Sequence, residues 1–356
     1  MTYEKILSKM NELEVDGLFL INNSNIRYIS GYTGSDSYIL ITADKKVFIT
    51  DARYTEQAQI ECKDFIILEW KKNRCSLEEF IAEEVAELGI KRLGFERNYM
   101  SYDLYDRFVT KMPTVELIPT KDIIESFRYI KNDTEIEYIK KAASFADIAF
   151  EKILGYIKPG LTENEIVLEL EYYLKKAGSE GVGFPTILVS GKKTSMPHGI
   201  PSEKKIEYGD LITMDFGGLY NGYHSDMTRT VAVGKVDDEQ RKIYKIIKEA
   251  QQRGIDALKN GVVGNIPDQR VREIIGQAGY IDKYYPGLGH GVGLDIHEAP
   301  FMGIESKDVL KTGCVVTVEP GIYIPNWGGV RIEDTVLVKD GEAEILTKAS
   351  KELIVL

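Results

Sequence analysis

Five polar residues, each within or beside a short apolar or glycine-rich run, could together bind divalent metal ions. They are Asp215, Asp226, His290, Glu319 and Glu333. Four carboxylates and one imidazole suit Mn, Co, Fe or Zn in a two-metal site better than a structural zinc site, which usually uses cysteines. Two ions bridged by carboxylates generate a hydroxide and clamp a reacting carbonyl. These residue types therefore indicate hydrolytic chemistry.

The sequence around the carboxylates predicts buried or half-buried strands. Asp215 ends the run LITMD, and Asp226 follows a glycine-rich turn in DFGGLYNGYHSD, so a hairpin would bring the two acids to neighbouring strands. Glu319 closes VVTVE, and Glu333 lies inside VRIEDTVLV. An ionised carboxylate in such a strand is costly unless it is paired, hydrogen-bonded or bound to metal.

Ordinary ion pairing is the alternative explanation for each acid, and Arg229 and Arg331 are available as partners. The histidines weigh against it. The chain has 4 histidines, and His198, His290 and His297 all lie in segments punctuated by glycine or proline, namely MPHGIP, GLGHGVG and LDIHEAP. A solitary histidine is more often structural, but this context favours a functional role for these three.

Several segments together closely resemble the pita-bread-fold metallopeptidases, in particular the branch of Xaa-Pro dipeptidase (prolidase) and aminopeptidase P. The segments are MDFGGLYNGYHSDMTRT, GHGVGLDIHEAP, VEPGIYIP and GVRIEDT, together with an N-terminal segment, NSNIRYISGYTGSDSYILITADKKVFITDARYTEQA. Their order along the chain makes the match specific. The resemblance implies an α/β N-terminal domain over residues 1–126, followed by an α+β pita-bread catalytic domain over residues 127–356 with metals in its central cleft.

The resemblance also assigns the ligands of two divalent metal ions. The matching positions are Asp215, Asp226, His290, Glu319 and Glu333. Manganese is the favoured metal, with cobalt, zinc or iron as alternatives, because such ligands accept several first-row ions. Glu319 also matches the residue that takes the proton from the metal-bound water.

Further residues match positions around the ligands. His297 matches a residue that hydrogen-bonds the tetrahedral intermediate, and His198 matches one that lines the pocket for the proline side. Arg331 matches an arginine that orients the ligand carboxylates, while Tyr323 and Thr228 match supporting residues. A catalytic set of His198, His297 and Glu319 is therefore expected.

The implied activity is hydrolysis of Xaa-Pro bonds by a metal-bridging hydroxide, with a small peptide carrying proline after its first residue as substrate. The short first domain favours an Xaa-Pro dipeptidase over aminopeptidase P, which acts on longer peptides. A non-peptidase pita-bread hydrolase or a peptide-binding relative is a further alternative. The presence of all five ligand types argues against that last alternative.

Two positions depart from the pattern of the family. Pro286 in YYPGLGHG stands where many members carry a further histidine that helps bind or stabilise substrate. Phe301 stands where an arginine is common and, in some prolidases, is associated with the C-terminal carboxylate of the substrate. Loss of that cation favours longer peptides. His224 falls at a position that is not a family ligand, so we expect a neighbouring or supporting role.

Composition agrees with a two-domain globular enzyme. The chain has 356 residues, and its net charge of -11 argues against nucleic-acid and anionic-membrane partners. Cys62, Cys75 and Cys314 are too few for a disulfide framework, and neither a signal peptide nor a run of ~20 apolar residues is present. A cytoplasmic location is therefore expected, and the resemblance implies a homodimer.

Local patterns predict the elements that must position the site. Asn132 or Asp133 can cap a long amphipathic helix, and Thr162 with Glu165 matches the capping box of a second helix. This helical hairpin would back the strands that carry the acids. In the first domain, Ser101 is a plausible helix N-cap, and TDARY predicts a turn with a local ion pair.

Overall fold

The computed structural model describes residues 2–70 and 76–356. The chain divides into two compact units, Met1–Arg128 and Tyr129–Leu356. Cys62 and Cys314 are buried free cysteines, and Cys75 lies outside the described residues. No helix of the described chain is both long and apolar enough to span a membrane.

The first unit is an α/β layer. Its strands are β1 (Gly17–Leu20), β2 (Tyr38–Thr42), β3 (Lys46–Thr50), β4 (Ile66–Glu69), β5 (Arg92–Glu96) and β6 (Glu116–Thr120), in the sheet order β4-β3-β2-β1-β5-β6. Its helices are α1 (Thr2–Glu12), α2 (Asn23–Ser30), α3 (Thr55–Glu61), α4 (Leu77–Glu87), α5 (Tyr102–Lys111) and α6 (Glu125–Arg128).

Alternating side chains of this sheet build two cores, one on each face. Leu18 and Leu20 pack in one cluster, and Phe19 between them packs in the other, as the two-residue period of a strand requires. Ser101 caps α5 through the N–H of Leu104, as predicted. The predicted turn at TDARY and its ion pair are also confirmed, because Arg53 Nη2 lies 2.7 Å from Asp51 Oδ2.

The second unit contains two helical hairpins. The helices are α7 (Asp133–Leu154), α8 (Glu163–Ala177), α9 (Asp238–Asp256) and α10 (Asn265–Gln277). Asn132 with Glu135 and Thr162 with Glu165 form capping boxes, which confirms both predicted helix starts. Each box satisfies backbone N–H groups that the first helical turn leaves without partners.

Antiparallel strands complete this unit. They are β7 (Ile187–Ser190), β8 (Leu211–Phe216), β9 (Leu219–Tyr220), β10 (Tyr223–His224), β11 (Met227–Ala232), β12 (Gly289–Gly291), β13 (Glu298–Met302), β14 (Val315–Val318), β15 (Gly321–Ile324), β16 (Gly328–Arg331), β17 (Asp334–Leu337) and β18 (Glu344–Ile345). The larger sheets have the orders β11-β8-β7 and β13-β12-β14-β17-β18. The pairs β15-β16 and β9-β10 form smaller sheets.

Each helical hairpin backs one of the two larger sheets. Residues of α7 and α8, including Phe150 and Leu170, form a buried cluster with Met214 of β8 and Val231 of β11. This packing confirms that the first hairpin backs the strands near Asp215. The second hairpin packs in the same way against β14 and β17. The helices behind each sheet thus fix the strands that carry the predicted ligands.

Candidate metal centre

A hairpin brings the first two predicted ligands together. In the pairing of β8 with β11, Asp215 lies opposite Thr228, and Phe216 lies opposite Met227. Asp226 immediately precedes β11, and its backbone N–H donates to Thr335 Oγ1 at 3.0 Å. Both carboxylates are buried. The hairpin that the sequence predicts is therefore present at these acids.

His290 lies at the centre of β12, and Glu319 directly follows β14. Thr317 connects them, because its hydroxyl accepts from the N–H of His290 at 3.0 Å and donates to Glu319 Oε1 at 3.0 Å. Gly291 allows the close approach of β13, since a Cβ there would lie 2.6 Å from the carbonyl oxygen of Ala299. Gly291 therefore allows β12 and β13 to pack closely beside His290.

Glu333 differs from the prediction in its secondary structure. It lies in a break between β16 and β17, whereas VRIEDTVLV reads as one continuous strand. The break arises because the backbone N–H of Glu333 bonds to the carbonyl of Thr228, and that of Ile332 bonds to the carbonyl of Pro320. Oε2 of Glu333 accepts from the Thr228 hydroxyl at 2.6 Å, which fixes the carboxylate.

The predicted ligands converge at one place. Asp215, Asp226, His290 and Glu319 line a cavity of about 600 Å³. Nε2 of His290 lies 3.4 Å from Glu319 Oε1 and 3.6 Å from Asp226 Oδ2. One ligand atom each of Asp226, His290 and Glu333 lies within 4.8 Å of the others. Segments far apart in the sequence therefore form one acidic cluster.

The donor atoms of this cluster fit divalent cations. Among the described residues, Asp215 Oδ1, Asp226 Oδ1 and Glu333 Oε1 are buried without a hydrogen-bond partner, which is unfavourable for an anionic oxygen. Nδ1 of His290 lies 3.1 Å from the Gly291 carbonyl, which can only accept. A neutral His290 with its proton on Nδ1 would donate to this carbonyl and present the lone pair of Nε2 to the carboxylates, as a metal ligand requires.

Arg331 supplies positive charge beside the acids. Its Nη2 donates to Asp215 Oδ2 at 2.6 Å, its Nε donates to Thr228 Oγ1 at 3.0 Å, and its Nη1 donates to Tyr323 OH at 2.9 Å and to the Pro197 carbonyl at 3.1 Å. Ion pairing thus accounts for one oxygen of one predicted ligand. The other carboxylates of the cluster receive no hydrogen bond from Arg331, so pairing with this arginine does not explain their burial.

Burial and mutual repulsion shift the pKa values of the acids. Burial, followed by the charges of neighbouring acids, raises the pKa of Asp226 and of Glu333 well above their usual range. Burial raises the pKa of Glu319 to about 7, although Arg331 opposes the shift. Burial lowers the pKa of His290. Without cations, these side chains favour their neutral forms.

The other predicted catalytic residues border the same cavity. His297 is exposed, and the centroid of its ring lies 4.3 Å from the centroid of the His290 ring. His198 is also exposed, in the loop before β8, and lines the cavity. Pro286 and Phe301 line it as well, and Phe301 is 51% exposed. Both departures from the family pattern therefore face the site.

Sequence reasoning missed two threonines in the cluster. Thr317 links His290 to Glu319, and Thr335 both accepts from the N–H and donates to the carbonyl of Asp226. Each is two residues from a predicted ligand in a strand-like segment, a spacing that places side chains on one face. That spacing could have identified them. His224 Nδ1 lies 3.0 Å from the Gly293 carbonyl, consistent with a supporting role.

Comparison with known proteins identifies the family. Residues 137–340 match metallopeptidase family M24, and residues 3–130 match the creatinase/prolidase N-terminal domain. The chain belongs to metallopeptidase family M24. An Xaa-Pro dipeptidase of Pyrococcus furiosus is 40% identical to this M24 metallopeptidase over 354 residues, which cover 99% of each chain.

Solved structures agree with this assignment. An Xaa-Pro dipeptidase from Bacillus anthracis matches with a TM-score of 0.96 and 43% identity, covering 100% of this chain and 99% of that one. An X-Pro aminopeptidase from Thermotoga maritima matches with a TM-score of 0.90 and 37% identity, covering 98% and 100%. These matches confirm the predicted fold, an α/β first domain followed by a pita-bread catalytic domain. Membership of M24 implies a divalent metal centre.

Proposed function

We propose that this M24 metallopeptidase hydrolyses the Xaa-Pro bond of dipeptides at a centre of two divalent metal ions, with manganese as the preferred metal. The ligands would be Asp215, Asp226, His290, Glu319 and Glu333. The observation that carries the proposal is the set of buried carboxylate oxygens without partners beside the His290 ring. When bound, such ions polarise the scissile carbonyl and supply a hydroxide nucleophile at neutral pH.

The side chains of the protein hold substrate and move protons. Glu319 lines the cavity, so it can take a proton from the attacking water and return it to the departing proline nitrogen. That nitrogen must gain a proton on departure, because an amide anion is a poor leaving group. His297 would donate to the oxyanion of the tetrahedral intermediate, and His198 would contact the proline side.

A second candidate is aminopeptidase activity on longer peptides. No Arg or Lys is among the described residues lining the 600 Å³ cavity, and Arg331 in the adjoining 430 Å³ cavity already bonds to Asp215, Thr228, Tyr323 and Pro197. The free carboxylate of a dipeptide would lack a cation there. A peptide that continues past proline has no carboxylate at that point.

A peptide panel separates these candidates. Protein stripped of metal with a chelator would be tested for hydrolysis of Ala-Pro, Ala-Pro-Ala and Ala-Ala, with and without added Mn²⁺. The proposal predicts Mn²⁺-dependent cleavage of Ala-Pro, absent with Ala-Ala and lost in Glu319→Gln. The exposed Glu342 provides a matched control, because Glu342→Gln removes the same charge outside the site. Preference for Ala-Pro-Ala would favour the aminopeptidase, and absence of metal-dependent cleavage of any peptide would contradict both.

Two further predictions accompany this proposal. A domain boundary between residues 126 and 127 predicts that limited proteolysis cuts near this position but outside the α6 helix (Glu125–Arg128), and mass spectrometry of the digests would identify the fragment ends. A homodimer predicts twice the chain mass in sedimentation equilibrium, and a single-chain mass would contradict it.

A further inference from the structure

Arg229 is almost completely buried, at 1% exposure, next to the cluster of proposed ligands. Its Nη1 donates to the main-chain carbonyls of Thr228 and Glu333. These are the two residues whose side chains bond to each other at 2.6 Å. Arg229 therefore fixes the backbone of Glu333, a proposed metal ligand, and of Thr228, the threonine that orients it.

The remaining N–H groups of Arg229 bond to Asp334 and to Ala349, which lies in the C-terminal segment that follows β18, residues 346–356. Nε and Nη2 donate to the carbonyl of Ala349 at 3.2 and 2.8 Å, and Nη2 also donates to Asp334 Oδ1 at 2.7 Å. One planar guanidinium thus bridges the C-terminal segment to the peptide of Glu333. A lysine ammonium could not make all these contacts, because it has a single donor atom.

Asp334 is itself fully buried and held on several sides. The side chains of Gln251 and Lys351 lie 2.8 Å from its Oδ2, and the Thr347 hydroxyl donates to its Oδ1 at 2.8 Å. A buried ion pair is weak evidence for stability, because desolvation offsets its attraction, but losing one partner is costly. The geometry therefore points to a role in positioning.

We propose that Arg229, Asp334 and Lys351 form a positioning cluster that fixes Glu333 and Thr228 for metal binding and couples the C-terminal segment to the metal centre. The inference rests on the proposed metal site. Arg229 and Lys351 contribute two positive charges and Asp334 one negative charge directly behind the acids. None of these three residues lines the two cavities at the site, so the cluster acts through Glu333.

The test measures metal affinity separately from fold stability. Metal-free Arg229→Lys and Lys351→Met proteins would be titrated with Mn²⁺ by calorimetry, and their unfolding followed by circular dichroism. Lys204→Met is the matched control, since Lys204 also forms a 2.7 Å ion pair, with Asp210, outside the cluster. We expect Arg229→Lys to weaken Mn²⁺ binding by about 10–100-fold, as for other residues that orient ligands. Lys351→Met should weaken it by less, and Lys204→Met should leave the Kd unchanged.

The outcomes distinguish this inference from the proposed function. Wild-type Mn²⁺ affinity in both cluster variants, even with lowered melting temperatures, would show a merely structural role and overturn the inference alone. Failure of the wild-type protein to bind Mn²⁺ would overturn the inference together with the proposed metal site. If Arg229→Lys does not fold, the comparison of Lys351→Met with Lys204→Met decides, and equal Kd values would contradict the inference.

Discussion

The polar side chains of the site depend on one another for their geometry. Thr228 shows this most directly, because its hydroxyl accepts from Arg331 and donates to Glu333. Arg331 in turn bonds to Asp215. Two proposed ligands, Asp215 on β8 and Glu333 in the break between β16 and β17, are therefore oriented through one threonine. Sequence reasoning could assign such residues from family positions, but their hydrogen bonds depend on contacts more than 100 residues apart in the chain.

Thr228→Val is expected to weaken both metal binding and the fold. The substitution keeps the shape but leaves Glu333 and Arg331 each without one buried partner. Such a loss costs about 1–3 kcal/mol in the free energy of unfolding and about 10–100-fold in metal affinity. Denaturant unfolding and Mn²⁺ titration would measure the two effects. Thr213→Val is the control, because buried Thr213 bonds to Thr230 without touching a ligand. Equal Mn²⁺ affinities in the two variants would contradict the role of Thr228.

Phe301→Arg is expected to improve binding of dipeptides. Phe301 is half exposed at the cavity, so a new cation there can meet the substrate carboxylate. A solvent-exposed ion pair contributes up to about 1 kcal/mol, which corresponds to a roughly fivefold lower KM for Ala-Pro. The amide Ala-Pro-NH2, which lacks the carboxylate, should show no change, and neither should Phe301→Gln with Ala-Pro. An equal effect on both substrates would disprove the charge-based explanation.

The site depends on two strands, β12 and β13, that approach unusually closely. Gly291→Ala would place a Cβ 2.6 Å from the carbonyl oxygens of Glu298 and Ala299, at an irregularity in the pairing of β12 with β13. Overpacking of this kind costs about 1–3 kcal/mol, and displacement of β12 should move His290 and weaken Mn²⁺ binding. Thermal unfolding and calorimetry would measure both.

Gly276→Ala provides the opposite case. Gly276 lies within α10, and the nearest atom to an added Cβ is 4.0 Å away. Because alanine is favoured over glycine inside a helix, the variant should gain about 0.5–1 kcal/mol. If Gly291→Ala matched Gly276→Ala in both melting temperature and Mn²⁺ affinity, the close approach of β12 and β13 would have no functional importance.

Local sequence signals predicted the elements where local interactions decide them. Ser101 and Thr162 cap their helices through bonds that span three residues. Glu333 shows the limit of this reasoning. Its segment is apolar enough for a continuous strand, but hydrogen bonds to Thr228 and Pro320 interrupt it. Those partners lie on other parts of the chain, so residue periodicity carries no information about them.

The acidic cluster should lower the stability of the whole metal-free protein as pH rises, and bound metal should oppose this loss. Burial raises the pKa of Asp226, Glu319 and Glu333, that of Glu319 to about 7. For acids with raised pKa values, the stabilisation is fully present below the unfolded pKa of about 4 and is lost as pH rises through the folded pKa. The metal-free protein should therefore lose stability towards neutral pH.

Metal should reverse this trend, because it binds the deprotonated carboxylates and its affinity rises with pH. Melting temperatures of EDTA-treated and Mn²⁺-loaded protein, measured from about pH 5 to about pH 8, would show the gap between them widening. A gap that stays constant or narrows as pH rises would contradict the proposed protonation of the metal-free cluster.

In the proposed function, the acidic cluster holds two metal ions that this M24 metallopeptidase needs for hydrolysis. The most direct measurement is a titration of chelated protein with Mn²⁺, in which bound metal and Ala-Pro hydrolysis are determined on the same samples. Hydrolysis should be absent without metal and should saturate as two ions bind per chain, and Asp226→Asn should reduce both bound metal and hydrolysis. Full hydrolysis by protein without metal would contradict the proposed role of the two ions. So would saturating metal binding without any hydrolysis of Ala-Pro or Ala-Pro-Ala.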